Sequence, residues 1–112
     1  MLDVGRKAFD FNTVKEFAKN MAWYKMNNFH LHLSDNLIFL EDYATIDEAV
    51  ENAYAGFRLE SEIPNLTSED TYYTKDEFRS FIKDSRNMGV NIIPEFDMPA
   101  HALAITRASR TL

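Results

Sequence analysis

The residues best equipped for chemistry lie in two short runs and one isolated position. Phe29-His30-Leu31-His32-Leu33-Ser34-Asp35 and Ile93-Pro94-Glu95-Phe96-Asp97-Met98-Pro99-Ala100-His101 each begin as an apolar strand pattern and pass straight into carboxylates and imidazoles. Arg6 follows a shorter apolar run. Positioned carboxylates and histidines exchange protons with reacting groups, and groups gathered at strand ends are how α/β barrels build active sites. Each side chain also has an ordinary reading. Asp35 fits a turn or a helix cap. Arg6 fits a surface ion pair of little energetic worth. His30 and His32, two apart on a strand, share a face. That suits a hydrogen-bonded interior role or, as an alternative, a pair of metal ligands. Glu95 and Asp97 alternate onto one face, where neighbouring carboxylates are hydrogen-bonded or one of them is protonated.

Taken together the positions point one way. Arg6, Asp35 and the group Glu95, Asp97 and His101 follow three successive strands, and in a parallel barrel such positions converge on one mouth. His101 is expected to meet Asp35, forming a carboxylate–imidazole pair that tunes a catalytic acid. His32, Glu95 and Asp97 are expected to line the same site, with no metal or other cofactor in the preferred reading.

The elements that must position these groups are legible in outline. Three Thr-x-x-Glu capping boxes occur at Thr13/Glu16, Thr45/Glu48 and Thr74/Glu77. The first predicts a helix over 14–26, with Val14, Phe17, Ala18 and Met21 on one apolar face and Asn27-Asn28 as its stop. The third predicts a helix over 75–88, with Phe78, Phe81, Ile82, Ser85 and Met88 on one side and Gly89 after it. The second predicts a weaker helix near 46–54. Short β-type runs at 2–5, 29–33 and 90–94 lie between, and a helical tail near 100–109 closes the sequence. Repeated βα order implies a parallel sheet with right-handed crossovers. The stretch 34–73 is too long for an ordinary βα connection. Its Tyr43, Tyr54, Phe57, Tyr72 and Tyr73 suit either a satellite core or the border of a pocket.

Composition sets limits. The 112 residues are 46% hydrophobic, with nine Phe, five Tyr and one Trp, so a real core is available. The formal charge of −6 argues against a phosphate-binding groove and hence against a nucleic-acid partner. The acidic excess is read as a solvated surface spread along the chain. No cysteine is present, which removes disulfides, thiolate nucleophiles and Cys-based zinc sites. That leaves the compartment open and is compatible with a secreted or cell-surface bacterial parent. No run approaches a membrane span, so membrane insertion is not expected. The abrupt Met1-Leu2-Asp3-Val4-Gly5-Arg6 start reads as a piece of something longer.

The run Leu2 to Lys7, the run Met21 to Asp35 and the run Ile93 to His101 resemble the β-N-acetylhexosaminidases of glycoside hydrolase family 20. The resemblance covers nearly the whole chain. It implies an α/β fold, namely a partial (β/α)8 TIM barrel with about the first three βα units and a long insertion after the second strand. It also implies a glycan partner with terminal N-acetylhexosamine. By the same resemblance Arg6 binds hydroxyls of the terminal sugar, and Asp35 and His101 support the general acid. That acid is the Glu of an Asp-Glu pair on the fourth strand. Family members use substrate assistance: the 2-acetamido oxygen attacks the anomeric carbon, the Asp orients it, and the Glu protonates the leaving oxygen. This differs from the two-carboxylate scheme of other retaining glycosidases.

Several positions depart from the family pattern. The Asp-Glu dipeptides here, Asp47-Glu48 and Asp76-Glu77, fall at predicted helix starts. Asp35 is followed by Asn36 where many members have a second Asp, and Ala100 stands where many have Gly. Asn36 and the aromatic insertion are similar to the lacto-N-biosidase-like branch. The first reading is therefore the N-terminal portion of a family 20 catalytic barrel, residues 1–112, inactive alone and prone to self-association through open sheet edges. A second is a non-catalytic carbohydrate-binding or assembly module, and a third is a metal-dependent barrel hydrolase using His30 and His32.

Overall fold

The structure, a computed structural model, describes residues 1–37 and 39–110. Its elements are β1 (Leu2–Asp3), α1 (Phe11–Trp23), β2 (Asn28–His32), β3 (Ser34–Leu37), α2 (Ile46–Asn52), β4 (Tyr54–Phe57), α3 (Lys75–Asn87), β5 (Asn91–Glu95) and α4 (Leu103–Ser109). One sheet has the order β1-β2-β5 and is parallel throughout. The other is the antiparallel pair β3-β4. The fold is α/β, as the sequence implies.

Alternation along β2 divides the main sheet. Phe29, Leu31 and Leu33 are buried with Ile92 of β5 beneath α1 and α3, joined by Val14, Ala18, Phe78 and Phe81. Burying each large apolar side chain contributes roughly 1.5–3 kcal/mol, so this helix-covered side holds the unit together. His30 and His32 face the other way, in register with Ile93 and Glu95. That face is open, and Ile93 is 40% exposed. Pro94 sits in β5, an edge strand of this sheet, where a missing ladder donor is tolerated.

The helix ends show which local signals win. α1 starts at Phe11, three residues before the expected start, because Asp10 caps it by accepting from the Asn12 amide. The buried stripe is Phe11, Val14 and Ala18. Phe17 lies off that stripe and is exposed. The helix stops at Tyr24, not at Asn27-Asn28. Lys25 takes φ 57°, the Lys25 amide donates to the Ala22 carbonyl, and the Met26 amide to the Met21 carbonyl. This is a Schellman stop with a residue seldom used for it. α3 follows its sequence signals more closely: both halves of the Thr74/Glu77 box form, and Gly89 at φ 84° makes the stop. At α2, Thr45 accepts from the Glu48 amide, while the Glu48 carboxylate reaches the Ala44 amide.

The insertion is more ordered than the sequence suggests. Asp35 does not sit in a turn or cap; it lies in β3, opposite Gly56 of β4. Phe57, Leu66, Ala104 and Ala108 form a satellite core, with Phe96 stacked on Phe57 at 4.7 Å. Tyr73 joins the main core, stacked on Phe11 at 4.5 Å, and donates its hydroxyl to the Phe9 carbonyl. Burial pushes that phenol up to about 12. The acidic excess is not spread along the chain: residues 34–73 hold ten of the eighteen acidic side chains and only one of the twelve basic ones.

That one base, Arg58, fastens the insertion to the main sheet. It is fully buried. It donates to the carbonyls of Val4 (2.7 Å), Gly5 (3.0 Å) and Thr71 (2.9 Å) and pairs with Asp70 at 2.6 Å. Two glycines allow the approach. A Cβ on Gly5 would lie 2.9 Å from the Asp35 amide nitrogen, and one on Gly56 would lie 2.2 Å from the Gly5 carbonyl oxygen. Gly56→Ala therefore forces two backbones apart. We expect it to cost about 1–3 kcal/mol, the range for overpacking a close-packed interior, read as a lowered urea midpoint. An unchanged midpoint would mean that the Gly5–Gly56 approach is not tight.

Candidate active site

The site grows from the ends of the parallel strands. The Val4 and Gly5 amides both donate to the His32 carbonyl at 3.1 Å, which ends β1 and turns the chain outward. Asp3 then accepts from the Arg6 amide (3.0 Å) and from Arg6 Nη1 (2.8 Å). The guanidinium is thereby aimed across the sheet, where Nη2 reaches Asp35 Oδ2 at 2.9 Å. The Arg6 side chain remains 42% exposed.

Asp35 is the hub, and its side chain has no exposed surface. Besides Arg6 it accepts from His32 Nε2 (2.5 Å), His101 Nδ1 (2.8 Å) and the Asn36 amide (2.7 Å). Burial alone would push this carboxyl up. The bonds from His32, the Asn36 amide and His101, with the charge of Arg6, outweigh burial and hold it below the ordinary carboxylate value. His101 arrives from the segment after β5 with φ 57°, a left-handed conformation that histidine adopts more readily than most non-glycine residues. Its Nδ1 proton goes to Asp35, so the 3.4 Å approach of Arg6 Nη2 to the same nitrogen is a contact and not a second bond.

Behind Asp35 lies a second carboxylate. His32 Nδ1 meets Glu95 Oε1, and Glu95 Oε2 meets His30 Nε2. An unbroken line of polar contacts thus runs His30–Glu95–His32–Asp35–His101. For His32, burial lowers the imidazolium, but Asp35 and Glu95 together raise it above 6.5. The bond from His32 leads the causes that hold Glu95 below the ordinary carboxylate value. Of the two readings for the Glu95/Asp97 face, hydrogen bonding applies to Glu95. Asp97 is half-buried, with a carboxylate oxygen within 4.8 Å of ligand atoms of His32 and Glu95, and makes no bond to the Arg6–Asp35–His101 group.

Arg6, Asp35, His101, His32 and Glu95 therefore form one connected cluster, with Asp97 beside it. Two participants were not singled out from the sequence: Asp3, which aims Arg6, and Arg58, which holds the carbonyls just before Arg6. His30, read from the sequence as a hydrogen-bonded residue or a metal ligand, bonds Glu95. For Arg58 the available signal is its setting: a lone base in Gly56-Phe57-Arg58-Leu59, inside a long acidic stretch.

The cluster makes stability depend on pH from both sides. Asp35 and Glu95 have depressed values in the fold, so their contribution is present above their ordinary values of 3.8 and 4.5 and is lost as pH falls through the folded ones. His32 has a raised value, so its contribution is full below 6.5 and is lost as pH rises through the folded one. Denaturant midpoints should therefore be highest between pH 4.5 and 6.5. His32→Gln should flatten the alkaline limb; a limb that persists in that variant would assign it elsewhere.

Comparison with known proteins identifies the family. The family described as glycosyl hydrolase family 20, catalytic domain, matches residues 1–112. A β-hexosaminidase of Vibrio furnissii is 31% identical over 96% of this chain and 18% of its own length. The N,N'-diacetylchitobiase of Vibrio harveyi is 31% identical over 93% of this chain and 13% of its own. Among solved structures, the chitobiase of Flavobacterium johnsoniae superposes with a TM-score of 0.75 at 33% identity, covering 99% of this chain and 15% of that one. The chain thus spans less than a quarter of the length of these relatives. With a family match over its whole length, the chain belongs to the glycosyl hydrolase family 20 catalytic domains.

Proposed function

We propose that this chain supplies the first three βα units of a β-N-acetylhexosaminidase barrel that releases terminal β-linked N-acetylhexosamine by substrate-assisted retaining catalysis. The observation that carries the reading is the meeting of Arg6, Asp35 and His101 at the ends of parallel strands. Arg6 binds sugar hydroxyls with the guanidinium N–H groups that Asp3 and Asp35 do not use. Asp35 orients His101, which backs the general acid. Within these residues the only Asp-Glu pairs open α2 and α3, where they are ordinary first-turn acids. The two groups that orient the acetamido and protonate the leaving oxygen are therefore not among residues 1–112.

Residues 1–112 alone should not hydrolyse a chromogenic N-acetylglucosaminide. Measurable turnover, retained after repurification and abolished by Asp35→Ala, would overturn the assignment of the acid to another segment. A metal-dependent mechanism is less well supported. His32 has both ring nitrogens on carboxylates and His30 Nε2 is on Glu95, so a metal would have to break this set.

The open face of the main sheet supports a second proposal, that the isolated chain self-associates. Among the described residues β1 and β5 are both edges, and Ile93 and Met98 are exposed, the latter at 69%. Unpaired edges and uncovered apolar side chains favour pairing with another copy. Light scattering on the isolated chain should give a dimer or larger species; a stable compact monomer at micromolar concentration would exclude it.

A further inference from the structure

We propose that His32 is held as a lasting imidazolium by Glu95 and serves, with Arg6, as a fixed cation that keeps Asp35 ionised beneath His101. Glu95 is then a positioning residue that acts on the site through His32. The catalytic consequence rests on the function proposed above; the protonation state itself does not.

The argument is a count of donors. His32 is buried with both ring nitrogens on carboxylate oxygens. A neutral imidazole has one N–H and one lone pair, so it would turn that lone pair on an anion. Two protons must therefore lie in the Glu95–His32–Asp35 unit. They rest on His32 because neither carboxylate needs one. Asp35 already accepts from Arg6, His101 and the Asn36 amide. Glu95 also faces His30 Nε2. The remaining charges near the ring are Asp3 and Asp97, both acids, whose oxygens lie within 4.8 Å of other ligand atoms of the cluster, and Arg6. Of the ionisable groups on the elements packed here, the anions are Asp3, Asp35, Glu95 and Asp97, and they favour the charged ring. Arg6 and any charge on His30 or His101 oppose it. In this arrangement a proton that His101 shares with an acid on its other nitrogen does not pass to Asp35, which already has two cations against it.

The chain has three histidines, and all three lie in this cluster. Nitrogen-15 NMR of the imidazoles therefore reads the site without background. About one unit above pH 6.5, His32 should show both nitrogens protonated, and carbon-13 signals of Asp35 and Glu95 should report carboxylates. In Glu95→Gln the ratio of doubly to singly protonated His32 at that pH should fall about tenfold, the change expected for a one-unit shift. His30→Gln should leave His32 doubly protonated. A singly protonated His32 in the unmodified chain, or a protonated Glu95 carboxyl, would overturn the proposal. So would an unchanged ratio of doubly to singly protonated His32 in Glu95→Gln. These readings need no turnover, so an inactive or misassigned glycosidase would not alter them. Should Glu95→Gln fail to fold, the nitrogen and carbon signals of the unmodified chain decide the matter alone.

Discussion

A carboxylate with no exposed surface is the constraint around which this structure is arranged. Asp35 gives up all its water, which costs several kcal/mol for an ion unless donors replace it. Four donors do so, and they come from four places: the turn after β1, the end of β2, the next residue of β3, and the segment after β5. No single element meets the need. The parallel order β1-β2-β5 brings three of these sources to one rim, and the fourth is the adjacent amide. Removing any one donor leaves a buried charge less well met, so the geometry of the rim and the ionisation of Asp35 are one property.

The insertion makes that burial possible. Asp35 lies in β3 because β4 pairs with it, and β4 can pair only because Gly56 lets the Gly5 carbonyl approach. Arg58 then takes up the Val4 and Gly5 carbonyls, which β1 leaves without strand partners where it ends. Such a cation would be costly inside the protein if unpaired. Here Asp70 and three carbonyls meet it. The same residues that close off Asp35 also fix the backbone just ahead of Arg6. A long acidic stretch that looks like decoration in sequence is a buttress of the site.

Period and capping made the helices and the parallel order readable. Thr74, Glu77 and Gly89 act as local rules say, and Phe29, Leu31 and Leu33 bury as alternation requires. The convergence of Arg6, Asp35 and His101 was legible because parallel strands must end on one rim. What was not legible depended on contacts distant in sequence. Asp35 cannot be placed in a strand without knowing that Gly56, 21 residues later, pairs with it. Arg58 looks like a surface base until the Val4 and Gly5 carbonyls are seen against it. Lys25 at the end of α1 and Asp10 at its start show local rivalry: a better-placed Asp displaces the Thr13 box, and tertiary packing accepts a lysine in a left-handed turn.

Charge separates into two zones with different physical weight. The insertion's acids, apart from Asp35, are exposed, and at physiological ionic strength such charges are screened within about 8 Å. They act on solubility more than on the inner cluster. The inner cluster is different, because Asp35 and His32 are buried and the others are at most half exposed. There Asp35 and Glu95 are matched by Arg6 and, when charged, His32, with Asp3 on the far side of Arg6. The central four groups then sum to no net charge. Asp3 and Asp97 border these four groups, so the whole set keeps an acidic excess, which opposes an anionic ligand while leaving the N–H donors of Arg6 directed by their carboxylate partners.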